Sequence, residues 1–163
     1  MSIVPTNVNY NYSLMSQNLV TLNRTYPFLN IQTVGNSVLG KNIYVVKLGK
    51  GTKKVFYSAS IHANEWITSV LLMKFIEDYC IAYTNNSRLY GYSVRRLFNS
   101  VSIYIMPMVN PDGVDLVTGN LKHFPSKPFV VSPKQMIDIM LKDEADELFR
   151  NINRDIDLNN RSR

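Results

Sequence analysis

The chain has 163 residues, of which 45% are hydrophobic and 18% are charged, a balance typical of a globular domain rather than a disordered chain. Its formal net charge is +6, but the basic residues are scattered in no long run, which argues against a nucleic-acid-binding function. Cys80 is the only cysteine, so an internal disulfide is excluded, and no apolar run is long enough to span a membrane.

The N-terminus lacks the basic segment and apolar core of a secretory signal, so we expect a cytoplasmic protein. Residues 13–25 then carry apolar side chains at helical spacing, and Tyr26-Pro27 ends this predicted helix. Residues 30–48 predict a hairpin, because two segments rich in β-branched and aromatic residues flank a turn around Gly40. Residues 53–60 predict a buried strand.

Residues 66–83 form a long and mostly apolar run, which predicts a helix buried against a sheet and surrounded by other elements. A loop at 84–87 and a short helix at 88–98 are expected to follow. Residues 101–109 predict a second buried strand, which the turn sequence Asn-Pro-Asp-Gly at 110–113 brings to an end.

The last third of the chain contains a predicted irregular segment, 114–132, followed by a predicted helix, 134–150. The final residues resemble the start of a strand. Alternating strands and helices predict an α/β fold with helices on both faces of a sheet. Because the early hairpin is antiparallel, we expect a mixed parallel and antiparallel sheet.

His62 and Glu65 lie three residues apart in the sequence HANEW, between the predicted strand and the long helix. Open α/β sheets bind their ligands at the carboxyl ends of strands, which is where this pair is expected. Imidazole and carboxylate are both zinc ligands, and a tight turn entering a helix lets both reach one ion. The same spacing also arises by chance, so the pair alone leaves a metal site and an ordinary surface role equally open.

Three separated segments together resemble one family, the zinc carboxypeptidases of carboxypeptidase A type. HANEW is similar to the metal-binding turn of that family, residues 106–117 (MPMVNPDGVDLV) to its next signature, and residues 148–159 (LFRNINRDIDLN) to a third. The segments occur in the family's order, and the resemblance covers roughly residues 10–159. It implies a phosphorylase/hydrolase-like fold, truncated here, so that residues 1–163 form the N-terminal portion of a single zinc-peptidase domain.

The resemblance implies roles for four residues and Zn²⁺ as the cofactor. His62 and Glu65 match the family's zinc ligands. Arg150 matches the basic residue that stabilises the oxyanion of the tetrahedral intermediate and contacts the substrate, and Asn159 matches an asparagine that helps to bind the substrate carboxylate. Read from the residues alone, Arg150 also fits a cation near a helix C-terminus, and Asn159 fits a turn.

Two features depart from a typical carboxypeptidase. Asn160 stands where the family has an arginine that binds the terminal carboxylate of the substrate, and Arg161, one position later, would point to the other face of a strand. The family's third zinc ligand and general-base glutamate are missing, and His123, the only other histidine, does not match the ligand position. Since catalytic zinc sites normally use three protein ligands, we expect weak zinc binding and little hydrolysis by this chain alone.

Family members without that arginine include bacterial γ-D-glutamyl-L-diamino acid endopeptidases, which cut cell-wall peptides and which this sequence resembles most. The predicted function is therefore a zinc metallopeptidase acting on peptides, in particular peptidoglycan stem peptides. We expect neither nucleic acid nor a membrane as partner, and the sequence leaves action at the cell wall open. Two alternatives remain: a remnant or peptide-binding module without catalysis, and a basic interaction protein in which HANEW is incidental. An exposed sheet edge also predicts self-association.

Overall fold

The computed structural model describes residues 2–121 of the chain. Its helices are α1 (Tyr12–Thr25), α2 (Trp66–Thr84), α3 (Val94–Ser100) and α4 (Pro111–Val117). Its strands are β1 (Asn30–Asn36), β2 (Asn42–Leu48), β3 (Lys53–Ser58), β4 (Arg88–Leu89), β5 (Tyr92–Ser93) and β6 (Val101–Met106). A single turn of 3-10 helix, Ala63–Glu65, precedes α2.

Four of these strands form one sheet in the order β1-β2-β6-β3. β1 pairs with β2 and β2 with β6 in antiparallel fashion, whereas β6 and β3 run parallel. The parallel pair aligns Tyr57 with Ile105, so the two strands end at the same edge of the sheet. The prediction of an α/β fold with a mixed sheet is confirmed.

The core lies on the sheet face that carries alternate residues of the two central strands, among them Val46 and Leu48 of β2 and Ile103 and Ile105 of β6. Helices α1 and α2 cover this face with Met15, Leu19, Leu22, Met73, Ile76 and Tyr79. Burial of each such side chain stabilises the fold by about 1.5–3 kcal/mol.

Helix α1 begins at a polar cap, because the side chain of Asn11 accepts a hydrogen bond from the amide of Leu14 at 2.9 Å. It ends before Tyr26, as the sequence predicts. Helix α2 has the extent that the sequence predicts, but it is not buried on all sides as expected. Ile67 and Leu71 are 58% and 68% exposed, because one side of α2 has no covering element among residues 2–121.

The prediction of a buried strand at 53–60 is wrong in two respects. Strand β3 ends at Ser58, and Val55 and Tyr57 are 38% and 48% exposed. The reason is its place in the sheet, since β3 lies at the edge of the described strands rather than between two neighbours. Strand β6 is instead central, so the prediction of a buried strand at 101–109 is confirmed in its burial, although the strand ends at Met106.

Two further local predictions need correction. The segment 88–98 begins as the small hairpin β4–β5, and helix α3 starts only at Val94, where the side chain of Ser93 accepts from the amide of Arg96. The Asn-Pro-Asp-Gly sequence is the start of helix α4 rather than a turn, so the expected irregular segment 114–132 is helical to Val117.

The predictions for residues 122–163, including helix 134–150 and the terminal strand, lie outside the described residues. Within residues 2–121, no helix has both the length and the apolar character needed to cross a membrane.

Candidate metal centre

The HANEW sequence forms the connection between β3 and α2. His62 has extended backbone, with φ −92° and ψ 139°, and directly precedes the 3-10 turn. The amide of Glu65 donates a hydrogen bond to the carbonyl of His62 at 3.1 Å, which closes the turn. The three-residue spacing therefore brings both side chains to the same side of a tight loop at the carboxyl end of β3.

The imidazole of His62 and the carboxylate of Glu65 approach each other closely. Nδ1 of His62 lies 3.1 Å from Oε1 of Glu65, and the two side chains are 72% and 49% exposed. Two ligands of one tetrahedral zinc ion, each about 2.05 Å from the metal, stand roughly 3.3 Å apart. The pair thus fits two corners of a zinc site, and without a metal the same distance suits a direct hydrogen bond.

No group of three or more histidine, cysteine, aspartate or glutamate side chains within residues 2–121 could hold a metal ion. The described residues therefore offer a nitrogen and a carboxylate donor, one short of the usual three protein ligands of catalytic zinc. The exposure of both side chains leaves room for a further ligand and for substrate to approach.

A small set of hydroxyl groups fixes the base of the metal turn, the segment 60–65 that carries the candidate ligands His62 and Glu65. Ser60, 1% exposed, has a positive φ of 51°, a conformation that strains any residue with a Cβ. Its hydroxyl lies 2.6 Å from Oγ of Ser69 and donates to the carbonyl of Glu65 at 3.2 Å. Its amide donates to Oγ1 of Thr68, which donates in turn to the carbonyl of Glu65 at 2.7 Å. The turn is thereby tied to the first turns of α2.

The opposite side of the turn is held by the segment between β6 and α4. The amide of Val109 donates to the carbonyl of Ala59 at 2.9 Å, and the amide of Asn110 donates to that of Ser60 at 3.0 Å. The side-chain nitrogen of Asn110 lies 3.5 Å from the carbonyl oxygen of Ile61. Three successive carbonyls leading to His62 therefore face one short segment.

Helix α4 is itself anchored by a nearly buried charge cluster. Nζ of Lys41 lies 3.2 Å from Oδ1 of Asp112 and 2.8 Å from Oδ2 of Asp115. Asp112 also accepts from the hydroxyl of Ser37 and the amide of Leu39, both at 3.0 Å. These contacts attach α4 to the β1–β2 hairpin and fix the segment that faces the metal turn.

The structure brings together His62 and Glu65, as the sequence predicts. Arg150, Asn159 and Asn160 lie outside the described residues, as does His123. Asn110 is not among the site residues that the sequence indicates, although a helix-capping residue followed by proline is a recognised signal for the start of a helix.

Comparisons with known proteins show the family to which this fold belongs. The model of the zinc carboxypeptidase family matches residues 15–159. The chain is 46% identical over 109 residues to gamma-D-glutamyl-L-diamino acid endopeptidase 1 of Lysinibacillus sphaericus, an alignment that covers 67% of this chain and 28% of that protein. It is 29% identical over 123 residues to a zinc carboxypeptidase of Saccharothrix mutabilis subsp. capreolus, covering 68% of this chain and 27% of that one.

Solved structures show the same likeness in three dimensions. Bovine thrombin-activatable fibrinolysis inhibitor matches with a TM-score of 0.56 and 25% identity, over 66% of this chain and 33% of that one. Carboxypeptidase A from Helicoverpa armigera matches with a TM-score of 0.59 and 21% identity, over 73% of this chain and 28% of that one, which supports the fold. The chain spans less than a third of the length of the two curated relatives described above.

Proposed function

The chain belongs to the zinc carboxypeptidase family, and we propose that it carries the first two zinc ligands, His62 and Glu65, of a zinc-dependent metallopeptidase. The observation that supports this most is the convergence of Nδ1 and Oε1 to 3.1 Å at the carboxyl end of β3. That separation is close to the spacing of two ligands on one zinc ion. The pair also lies at the carboxyl end of a strand, where open α/β sheets bind their ligands.

In the proposed enzyme, His62 and Glu65 hold the metal, which, when bound, polarises the scissile carbonyl and lowers the pKa of bound water. Arg150 is proposed to stabilise the oxyanion, and Asn159 to orient the substrate. A third ligand and a general base must join these residues to complete the site. The short coverage of the relatives supports the proposal that residues 1–163 are the N-terminal portion of a single zinc-peptidase domain.

The proposed substrate is a peptide of the bacterial cell wall, such as a peptidoglycan stem peptide. Two observations support this choice. A relative with 46% identity is named a gamma-D-glutamyl-L-diamino acid endopeptidase. In addition, Asn160 replaces the arginine that a carboxypeptidase of this family uses to bind a terminal carboxylate, which favours cleavage within a peptide over removal of its last residue.

A second candidate function is a remnant or peptide-binding module that keeps the fold without the chemistry. The finding that favours it is the two-donor set within residues 2–121. The two proposals differ in their dependence on residues encoded after Arg163. Family membership accounts for HANEW and so removes the reason for a basic interaction protein.

A digest of purified stem peptides tests the proposal. The assay compares the 163-residue chain, the same chain extended by whatever its gene encodes downstream, and the extended chain carrying Glu65→Ala. The metallopeptidase proposal expects zinc-dependent cleavage by the extended chain, with a loss of about 10²-fold or more in the variant. Binding of stem peptides without cleavage by either chain would favour the module instead.

Self-association belongs to the same proposal. Strand β3 lies at the edge of the described sheet and exposes Val55 and Tyr57. An edge strand with apolar side chains promotes pairing between chains. Sedimentation velocity of the 163-residue chain is expected to show dimers or larger species, and a monomer at high concentration would contradict this expectation.

A further inference from the structure

Asn110 is placed between helix α4 and the metal turn in a way that gives each end of its amide a separate task. Its Oδ1 accepts a hydrogen bond from the amide of Gly113 at 2.9 Å, which caps α4. Its Nδ2 lies 3.5 Å from the carbonyl oxygen of Ile61, the residue before His62. A helix cap needs only the oxygen, so the nitrogen is available to hold the turn.

Gly113 allows this close approach. A Cβ added at Gly113 would lie 2.9 Å from the Cβ of Ala63 and 2.6 Å from Nδ2 of Asn110. Ala63 stands between His62 and Glu65 in the 3-10 turn. Gly113 therefore lies against the residue that follows His62 in the turn carrying both candidate ligands. Any larger residue at position 113 must push Ala63 or Asn110 away.

We infer that Asn110 and Gly113 are positioning residues that hold the His62–Glu65 turn against the start of helix α4. The inference rests on the proposed function for its link to metal, but the structural coupling can be measured without metal. Rigid support from behind a ligand turn keeps its donors at one separation, and groups of this kind change metal affinity about 10- to 100-fold in other sites.

The experiment uses the full 163-residue chain and the variant Asn110→Ser. Serine caps a helix about as well as asparagine and adds no charge, but it cannot reach the carbonyl of Ile61. The matched control is Asn11→Ser, because Asn11 caps α1 with the same 2.9 Å contact and is not part of the metal turn. Gly113→Ala is the second variant, chosen because alanine ordinarily stabilises a helix relative to glycine.

Two readouts are compared. In metal-free protein, hydrogen exchange at the hydrogen-bonded amides of Ser60 and Glu65 is expected to rise about tenfold in Asn110→Ser and Gly113→Ala, and not in Asn11→Ser. In the zinc titration, the dissociation constant is expected to rise about tenfold for the same two variants and to stay within error for the control.

The outcomes separate this inference from the proposed function. Equal exchange of the Ser60 and Glu65 amides in Asn110→Ser and Asn11→Ser would overturn the inference, whatever the zinc affinity. Faster exchange in Asn110→Ser, together with no zinc binding by any chain, would support the positioning role and contradict the proposed metal site. Should Gly113→Ala not fold, Asn110→Ser decides alone.

Discussion

The hydroxyl oxygens of Ser60 and Ser69 lie 2.6 Å apart in the base of the metal turn, where neither residue is more than 1% exposed. Ser60 holds a positive φ of 51°, and its hydroxyl also donates to the carbonyl of Glu65. A strained backbone immediately before the proposed ligands is thus held in place by buried hydrogen bonds.

This relationship predicts an unusual order of stability at position 60. Ser60→Ala keeps the strained backbone, loses two hydrogen bonds and leaves the hydroxyl of Ser69 without this partner, at a cost of about 2 kcal/mol. Ser60→Gly loses the same bonds but relieves strain, so it should be about 1 kcal/mol more stable than the alanine variant. Urea unfolding measures both, and an alanine variant as stable as the glycine variant would show that the backbone is not strained.

Lys41 is expected to be essential for the attachment of α4. The two carboxylates that it contacts have side chains only 4% and 10% exposed, so Lys41→Met leaves buried charge uncompensated. The expected loss in the free energy of unfolding is about 3 kcal/mol. Lys53→Met, at an exposed position in β3, serves as the control, and an equal effect of the two substitutions would refute the role of the cluster.

Glu77 should make stability depend on acid pH. Burial by itself raises the pKa of Glu77, but hydrogen bonds from the amide of Ile3, the ammonium of Lys74, the hydroxyl of Ser2 and the amide of Val4 outweigh it, so the pKa is lowered from 4.5. A carboxyl whose pKa is lower in the folded state than in the unfolded state stabilises the fold fully at any pH above its unfolded-state pKa. That stabilisation is lost as the pH falls through its folded-state pKa.

We therefore expect Glu77→Gln to reduce the free energy of unfolding by about 3 kcal/mol at pH 7, with a smaller difference from the wild type as the pH falls below 4.5. Denaturant unfolding of both proteins across that range provides the measurement. A difference that stays constant from pH 7 to acid would mean that the charge of Glu77 does not stabilise the fold.

Cys80 is expected to be unreactive in the folded chain. Burial raises the pKa of its thiol to about 12, with a further contribution from the charge of Glu77. Since the thiolate is the reactive form, a thiol reagent such as DTNB should label the chain only after denaturant is added. Rapid stoichiometric labelling of the native protein would show that α2 opens readily at this residue.

The sequence predicts the parts of the fold that depend on local pattern. Apolar spacing identifies α1 and α2, and the turn at Gly40 with its flanking β-branched residues identifies the first hairpin. The three-residue spacing predicts that His62 and Glu65 lie close together in a tight turn, and the structure places them 3.1 Å apart. Their assignment as candidate zinc ligands comes instead from the family resemblance of three ordered segments, because the spacing alone leaves an ordinary surface role equally open.

Other features depend on the place of a segment in the whole fold. The composition of β3 resembles that of β6, but only the order of the strands in residues 2–121 places β3 at the edge of the described sheet and β6 at its buried centre. Likewise, the second task of Asn110 depends on a carbonyl 49 positions earlier in the chain, which no local pattern reveals. The stacking of α4 on the metal turn is a tertiary contact of the same kind.

The most direct test of the central claim is zinc binding by the purified 163-residue chain, measured by titration calorimetry alongside His62→Ala and Glu65→Gln. We expect saturable binding of one zinc ion, readily removed by a chelator because residues 2–121 supply two protein donors to it, with a dissociation constant at least about tenfold higher in each variant. Binding that is unchanged by either substitution would contradict the assignment of this pair as metal ligands, and tight binding that survives chelation would contradict a two-donor site.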